Sequence, residues 1–281
     1  MITFSKNSGI SEKSIQDDLN VILKPSFSTG ENLSALRQIF SFLDYTTLEG
    51  SDTHEKVKRL CEKAIAFGEK GLPYPASVCI YPPFISTAKK TLHGTPIKVA
   101  TTAAAFPSGQ MVLPVKLAEI DYAVQEGADE VDIVISRGTF LEKHYDTIYH
   151  EISEMRSHCL QQTLKVILET GELQTSENIS RASEIAIMAG ADFIKTSTGK
   201  VTPAATVEAV YVMLLVIKEY HLKTGKMIGI KPAGGIAEQE QALNYYLIVK
   251  NVLGPHWLTP SLFRIGASRL ADRLSGILLS T

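Results

Sequence analysis

Phe193-Ile194-Lys195-Thr196-Ser197-Thr198-Gly199-Lys200 is the stretch around which this chain of 281 residues is organised. It follows Met188-Ala189-Gly190-Ala191-Asp192, which reads as a helix end and a tight turn. Residues 193–196 are apolar and β-prone, and so predict a short buried strand. A lysine sits inside that strand. Buried ammonium groups are rare because they lose their hydration, and the usual escape is a lowered pKa and a neutral amine. A neutral amine attacks carbonyl carbon and forms a Schiff base. The strand then opens into Thr-Ser-Thr-Gly-Lys, a polar turn whose free N–H groups suit an anion, most often phosphate. On this stretch alone, a salt-bridged barrel lysine next to an ordinary N-cap fits equally well.

Outward from this point the chain alternates strand-like and helix-like runs. Strands are expected at 40–44, 76–81, 97–101, 130–135, 164–169, 193–196, 227–231 and 262–265. Helices are expected at 53–67, 112–126, 143–160, 176–188 with Ser176 as N-cap, 203–220, 238–253 and 268–278. Continuous apolar strands alternating with helices are the mark of a parallel sheet covered on both faces. Eight such strands predict an α/β TIM barrel, and no Gly-x-Gly-x-x-Gly follows an early strand to favour a doubly wound sheet. Residues 1–38 are polar and weakly helical and predict a helical lead-in covering the barrel bottom. Residues 39–281 form the barrel, and 1–281 a single domain.

Bulk properties narrow the function. A net charge of −2 gives no electrostatic footprint for nucleic acid or an anionic membrane. The start, Met-Ile-Thr-Phe-Ser-Lys, has no apolar core of a signal peptide, and the longest apolar run, 210–217, is too short to span a bilayer. Cys61, Cys79 and Cys159 are odd in number and far apart, which fits a reduced cytoplasmic protein.

In a TIM barrel the active site lies at the C-terminal ends of the strands. Those ends carry Asp44, Thr46, Cys79, Asp132, Glu169, Lys195, Lys231, Gly266 and Ser268. Side chains alternate along a strand, so Val131, Ile133 and Ile135 share one face and Asp132 takes the other. The same parity turns Lys231 away from Ile228 and Ile230. One consistent assignment aims Asp132, Lys195 and Lys231 at the axis. Strands six and seven are expected to be neighbours, which brings two ammonium groups together and lowers the pKa of at least one. In this reading Lys195 is the neutral nucleophile, Lys231 stays protonated, and Asp132 and Lys231 pass protons through water. The bland alternative makes Asp132 and Lys231 a structural ion pair. Glycine turns close the last three strands at Thr198-Gly199-Lys200, Ala233-Gly234-Gly235 and Gly266-Ala267-Ser268. Phosphate sites in this fold lie after strands seven and eight. Gly234, Gly235 and Ser268 are placed to donate, and Lys200 to supply charge. Cys79 reads as a small buried residue before it reads as a reactive thiol.

Several motifs resemble the deoxyribose-phosphate aldolase family. They are Leu43-Asp44-Tyr45-Thr46-Thr47-Leu48, Val78-Cys79-Ile80-Tyr81-Pro82, Glu130-Val131-Asp132, 165–173, 189–200, Lys231-Pro232-Ala233-Gly234-Gly235-Ile236 and Arg264-Ile265-Gly266-Ala267-Ser268. The likeness runs from about 40 to 275. It implies a metal-free class I aldolase on a TIM barrel that reversibly cleaves 2-deoxy-D-ribose 5-phosphate to D-glyceraldehyde 3-phosphate and acetaldehyde, without a cofactor. It implies Lys195 as the Schiff-base lysine and Lys231 with Asp132 as proton donor and acceptor. Asp44, Thr46, Cys79 and Thr198 fall near the substrate, and Gly199, Lys200, Gly234, Gly235, Gly266 and Ser268 in the phosphate pocket. It also implies a homodimer. The chain departs from the family at Ala237, where a basic residue is common, at Arg269, where a small residue is common, and in ending without the tyrosine-bearing tail of some members.

Rival readings are another Schiff-base enzyme, such as a transaldolase or keto-acid aldolase, and a non-catalytic phosphosugar-binding barrel. A metal-dependent aldolase needs clustered ligands, and the seven histidines fall on expected helices and loops.

Overall fold

The computed structural model describes residues 11–24 and 29–280. In chain order the elements are α1 (Glu12–Ile22), α2 (Thr29–Ser41), β1 (Leu43–Thr46), α3 (His54–Glu69), β2 (Ser77–Ile80), α4 (Ile85–Thr91), β3 (Lys98–Ala103), α5 (Leu113–Gln125), β4 (Glu130–Val134), α6 (Arg137–Leu141) and α7 (Tyr145–His158). They continue with β5 (Thr163–Ile167), α8 (Thr170–Leu173), α9 (Ser176–Met188), β6 (Phe193–Lys195), α10 (Val207–Thr224), β7 (Gly229–Lys231), α11 (Gln239–Val252), β8 (Ile265–Ala267) and α12 (Arg269–Leu279).

All strand pairs are parallel, and the sheet runs β7-β6-β5-β4-β3-β2-β1-β8. Bridges from Ile230 to Phe263 and from Ala233 to Gly266 join its two edges, so the strands close into the expected TIM barrel. The alternation of side chains separates two interiors. Outward residues such as Val78, Val131, Ile133, Val166, Ile194 and Ile230 belong to one continuous apolar cluster. They pack there with Ile120 and Ala123 of α5, Ile152 and Met155 of α7, and Val210 and Leu214 of α10. Inward residues Cys79, Ala100, Val134, Ile167 and Phe193 are buried but lie outside that cluster. The axis is instead occupied by charge.

Several local expectations shift. The first strand begins at Leu43 rather than Phe40, because Phe40 and Ser41 end α2. Leu36, Ile39 and Phe40 are all buried at helical spacing, and this apolar face wins over the β-prone run. The last strand is Ile265–Ala267 rather than 262–265. The helix expected from Pro203 begins at Val207, where Thr206 caps it by accepting from the Ala209 N–H. Thr175, not Ser176, caps α9, accepting from the Asn178 N–H. The short helices α4, α6 and α8 were not among the expected elements. The lead-in falls partly outside the described residues. Its described part packs against α10, α11 and α12, with Asp18 of α1 accepting from Tyr211 of α10 and Gln38 of α2 accepting from Tyr246 of α11.

Candidate active site

The site begins with sheet register. Lys195 is the direct neighbour of Lys231 on one side and Ile167 on the other, and Asp132 is the neighbour of Lys165 and Thr102. In a parallel sheet, neighbours point the same way, so all these side chains enter the axis. Asp132 stands at their centre. Its Oδ2 accepts from Lys195 Nζ at 2.8 Å and Lys231 Nζ at 2.7 Å, and its Oδ1 from Lys165 Nζ at 3.0 Å. The two lysines and the aspartate aimed inward by parity therefore meet on one carboxylate.

Below them lies a second set. Lys165 reaches Glu130 Oε2 at 2.5 Å, and Arg264 spans Asp44 Oδ1 at 2.6 Å and Glu130 Oε1 at 2.7 Å. Lys231 also holds Asp44 Oδ2 at 2.5 Å. All seven residues are buried. Three are carboxylates, and four are basic. A buried charge is tolerated when it is matched, and these seven buried groups balance with one amine uncharged, while the half-exposed Lys98 adds an outer contact to Glu130 at 3.3 Å.

The surroundings select that amine. Burial, the largest influence, and the nearby Lys231 ammonium push Lys195 down, and Asp132 only partly offsets them, leaving it below the ordinary lysine value. Burial also disfavours charge on Lys231, but Asp132 and Asp44 together outweigh it and hold that group well above the ordinary value. Lys165 is likewise held up against burial by Asp132 and Glu130. Asp132 is held well down against burial by the three lysines. Lys195 is thus the only one of the three lysines on Asp132 whose surroundings favour loss of the proton.

Lys195 also opens into a cavity of about 350 Å³ at the C-terminal end of the barrel. Thr46, Thr198, Gly199, Lys200, Gly234, Gly235, Gly266 and Ser268 line it, so nearly every expected substrate and phosphate residue converges here, together with Glu49 and Arg269. Gly199 and Gly234 both have positive φ and lie back to back; a Cβ on Gly234 would stand 3.0 Å from the Gly199 Cα and 2.6 Å from the Ala204 Cβ. The two loops meet this closely because Gly234 bears no side chain, whereas a Cβ on Gly199 would stand 3.5 Å from the Gly234 Cα, an ordinary contact. A larger cavity, about 500 Å³, lies between α1 and the loops after β5 and β6, and it contains none of the strand-end lysines.

Asp44 and Cys79 were expected beside the substrate but do not line the cavity. Asp44 is consumed by Arg264 and Lys231 beneath the floor. Cys79 is buried against Leu48 and Ala100, and burial raises its thiol above the ordinary value, so it stays protonated. Asp132 and Lys231 form the layer under Lys195.

Sequence reading overlooked Lys165, Glu130 and Arg264. Lys165 carries the same signal as Lys195, a lysine inside a buried strand, but in mid-strand rather than at an end. It also overlooked a clamp on the phosphate-side turn. Glu169 has a φ of 59°, and its carboxylate accepts from the Thr198 N–H at 3.2 Å and the Thr198 hydroxyl at 2.5 Å. Arg137 pairs with it at 3.3 Å while donating to Pro107 O and Ser108 O.

A parallel eight-stranded barrel with a depressed lysine at its mouth, set against a carboxylate and a second, protonated lysine, defines the class of lysine-centred barrel enzymes. The comparisons with known proteins give the family. The description DeoC/LacD family aldolase matches residues 38–247. The human deoxyribose-phosphate aldolase is 46% identical over 248 residues, covering 84% of this chain and 78% of its own. The mouse deoxyribose-phosphate aldolase is 44% identical over the same coverage. A solved Toxoplasma gondii structure, provisionally named a deoxyribose-phosphate aldolase, superposes with a TM-score of 0.81 at 26% identity, covering 91% of this chain and 98% of that one. The chain belongs to the DeoC/LacD aldolase family; it is an aldolase, a carbon–carbon lyase.

Proposed function

We propose that this aldolase reversibly cleaves 2-deoxy-D-ribose 5-phosphate to D-glyceraldehyde 3-phosphate and acetaldehyde through a Schiff base on Lys195. One observation carries the reading: of the three lysines on Asp132, the one that opens into the cavity is also the one whose pKa is depressed. The substrate assignment rests on the names of the relatives and on the family resemblance.

The chemistry follows from the layout. The neutral Lys195 amine adds to the aldehyde carbon of the open-chain sugar and gives a carbinolamine. Loss of water needs a proton delivered to the departing hydroxyl, and protonated Lys231 stands on the shared carboxylate to supply it. The resulting iminium draws electrons from the C2–C3 bond. A base removes the C3 hydroxyl proton, that bond breaks, glyceraldehyde 3-phosphate leaves, and a neutral enamine remains on Lys195. Protonation at C2 and hydrolysis release acetaldehyde and restore the amine. Asp132 touches both amines and is the natural carrier of these protons. Thr102 Oγ1 and Ser197 Oγ, both buried and without a hydrogen-bond partner among the described residues, offer further donors to a water relay. Gly199, Lys200, Gly234, Gly235, Gly266 and Ser268 would take the phosphate, with Thr46 and Thr198 beside the sugar.

The reading includes a homodimer, on the family resemblance. It also includes the cytoplasm, since three free, buried cysteines suit a reducing compartment. Among the described residues no helix is long and apolar enough to cross a membrane.

Borohydride trapping tests the core of the proposal. Incubation with acetaldehyde, reduction, digestion and mass spectrometry should place one ethyl adduct on Lys195, and Lys195→Ala should lose it. An adduct scattered over surface lysines, or none, would overturn the mechanism.

A further inference from the structure

We infer that Glu49 is a specificity-determining residue that competes with the substrate's phosphate for Lys200, so that this enzyme discriminates less in favour of phosphorylated sugars than the cavity's glycine turns would allow. The inference deepens the proposed function and rests on it. Lys200 Nζ is not free in the cavity. It lies 3.1 Å from Glu49 Oε1, an ion pair that joins the loop after β6 to the loop after β1 across 151 positions of sequence. Both residues line the cavity that Lys195 enters.

The carboxylate is held there by its backbone rather than by chance. Asp52, whose side chain is almost fully buried, accepts from the Glu49 N–H at 3.0 Å and from the Thr47 hydroxyl at 2.9 Å and pairs with Lys56. That turn fixes where the Glu49 side chain starts, while its own carboxylate remains largely exposed and able to swing. The charged residues facing the cavity are then Lys195, Lys200 and Arg269 against Glu49. Burial and the neighbouring Lys231 disfavour charge on Lys195. No cation stands at Ala237 to restore the balance, and the Ala237 and Glu238 N–H groups are both taken by Gln241 Oε1. A phosphate dianion entering the glycine turns therefore meets a lysine already neutralised and must expel a like charge to reach it. A neutral sugar meets no such cost.

The test compares 2-deoxyribose 5-phosphate with unphosphorylated 2-deoxyribose on the full-length enzyme. In Glu49→Gln the ratio of kcat/KM values should rise about two- to fivefold in favour of the phosphorylated sugar, the range expected for one partly exposed ion pair. The gain should reside in KM and shrink at high salt. It should vanish when Lys200→Met is added. Glu55→Gln, which removes an equal charge on the exposed face of α3, should leave the ratio unmoved. An unchanged ratio in Glu49→Gln, or an equal gain without Lys200, overturns the inference. Inorganic phosphate titrated by calorimetry separates this failure from that of the aldolase reading. Tighter phosphate binding in Glu49→Gln supports the competition even if neither sugar is cleaved, and unaltered binding rejects it.

Discussion

The two halves of the barrel axis use the same residue types to different ends. In the lower half, Lys165 and Arg264 alternate with Glu130 and Asp44, and each cation touches at least two carboxylates. In the upper half Lys195 has a single carboxylate contact, with Asp132, and shares that oxygen with Lys231. The lower set is matched, and the upper set has one amine too many. Most barrels fill this space with Val, Ile and Leu. Here the charged filling shifts the protonation of its members, and the mismatch falls on Lys195, whose surroundings disfavour charge.

That contrast can be broken most sharply at its two extreme lysines. Lys195→Met should abolish turnover, by more than about a thousandfold for loss of a nucleophile. It should leave stability near wild type, because a neutral amine leaves no orphaned charge. Lys165→Met should do the reverse. It strips Glu130 and Asp132 of their shared cation and should cost about 3–5 kcal/mol in urea denaturation, the range for one partner lost from a buried pair. Equal instability in both variants would erase the distinction between the halves.

Asp132→Asn joins the halves. It should slow kcat by about 10²–10⁴, as for loss of a proton-transfer group, and destabilise the fold as well, read in the same two assays. Lys231→Met sharpens the upper half alone. On the proposed mechanism the reactive form of Lys195 is the neutral amine, so kcat/KM should rise as pH climbs through its lowered pKa. Removing the neighbouring ammonium removes one of the influences that depress it, and the acid limb of the pH profile should move to higher pH.

The smallest effect is expected far from the axis. Burial raises Glu184 from an ordinary 4.5 to about 7, with Arg181 only partly opposing. A carboxyl whose folded pKa is raised contributes fully below 4.5 and loses its contribution as pH rises through 7. Glu184→Gln should therefore gain about 2 °C in Tm at pH 8 and nothing at pH 4.

The upper half was readable from sequence because strand-end position picks out Lys195 and Lys231 and strand parity aims Asp132 at them, even though Asp132 sits mid-strand beside Lys165. The lower half was not. Lys165 sits in mid-strand, and the role of Arg264 appears only once β7 and β8 close the ring. The strand before Asp44 slipped because 39–43 is apolar enough to satisfy either period, and only the burial of Leu36, Ile39 and Phe40 on one helical face decides it. The Glu49–Lys200 pair joins two loops by distance in space alone, and no local pattern announces such a contact.

The back-to-back loops and the sealed axis bear on when the C–C bond is under stress. On the proposed chemistry, the iminium at the cavity floor places a fourth full cation against the three buried carboxylates of the axis. Cleavage turns that cation into a neutral enamine and returns the axis to parity. The barrel interior is thus electrically out of balance while the bond to be broken is intact, and relaxes as it parts.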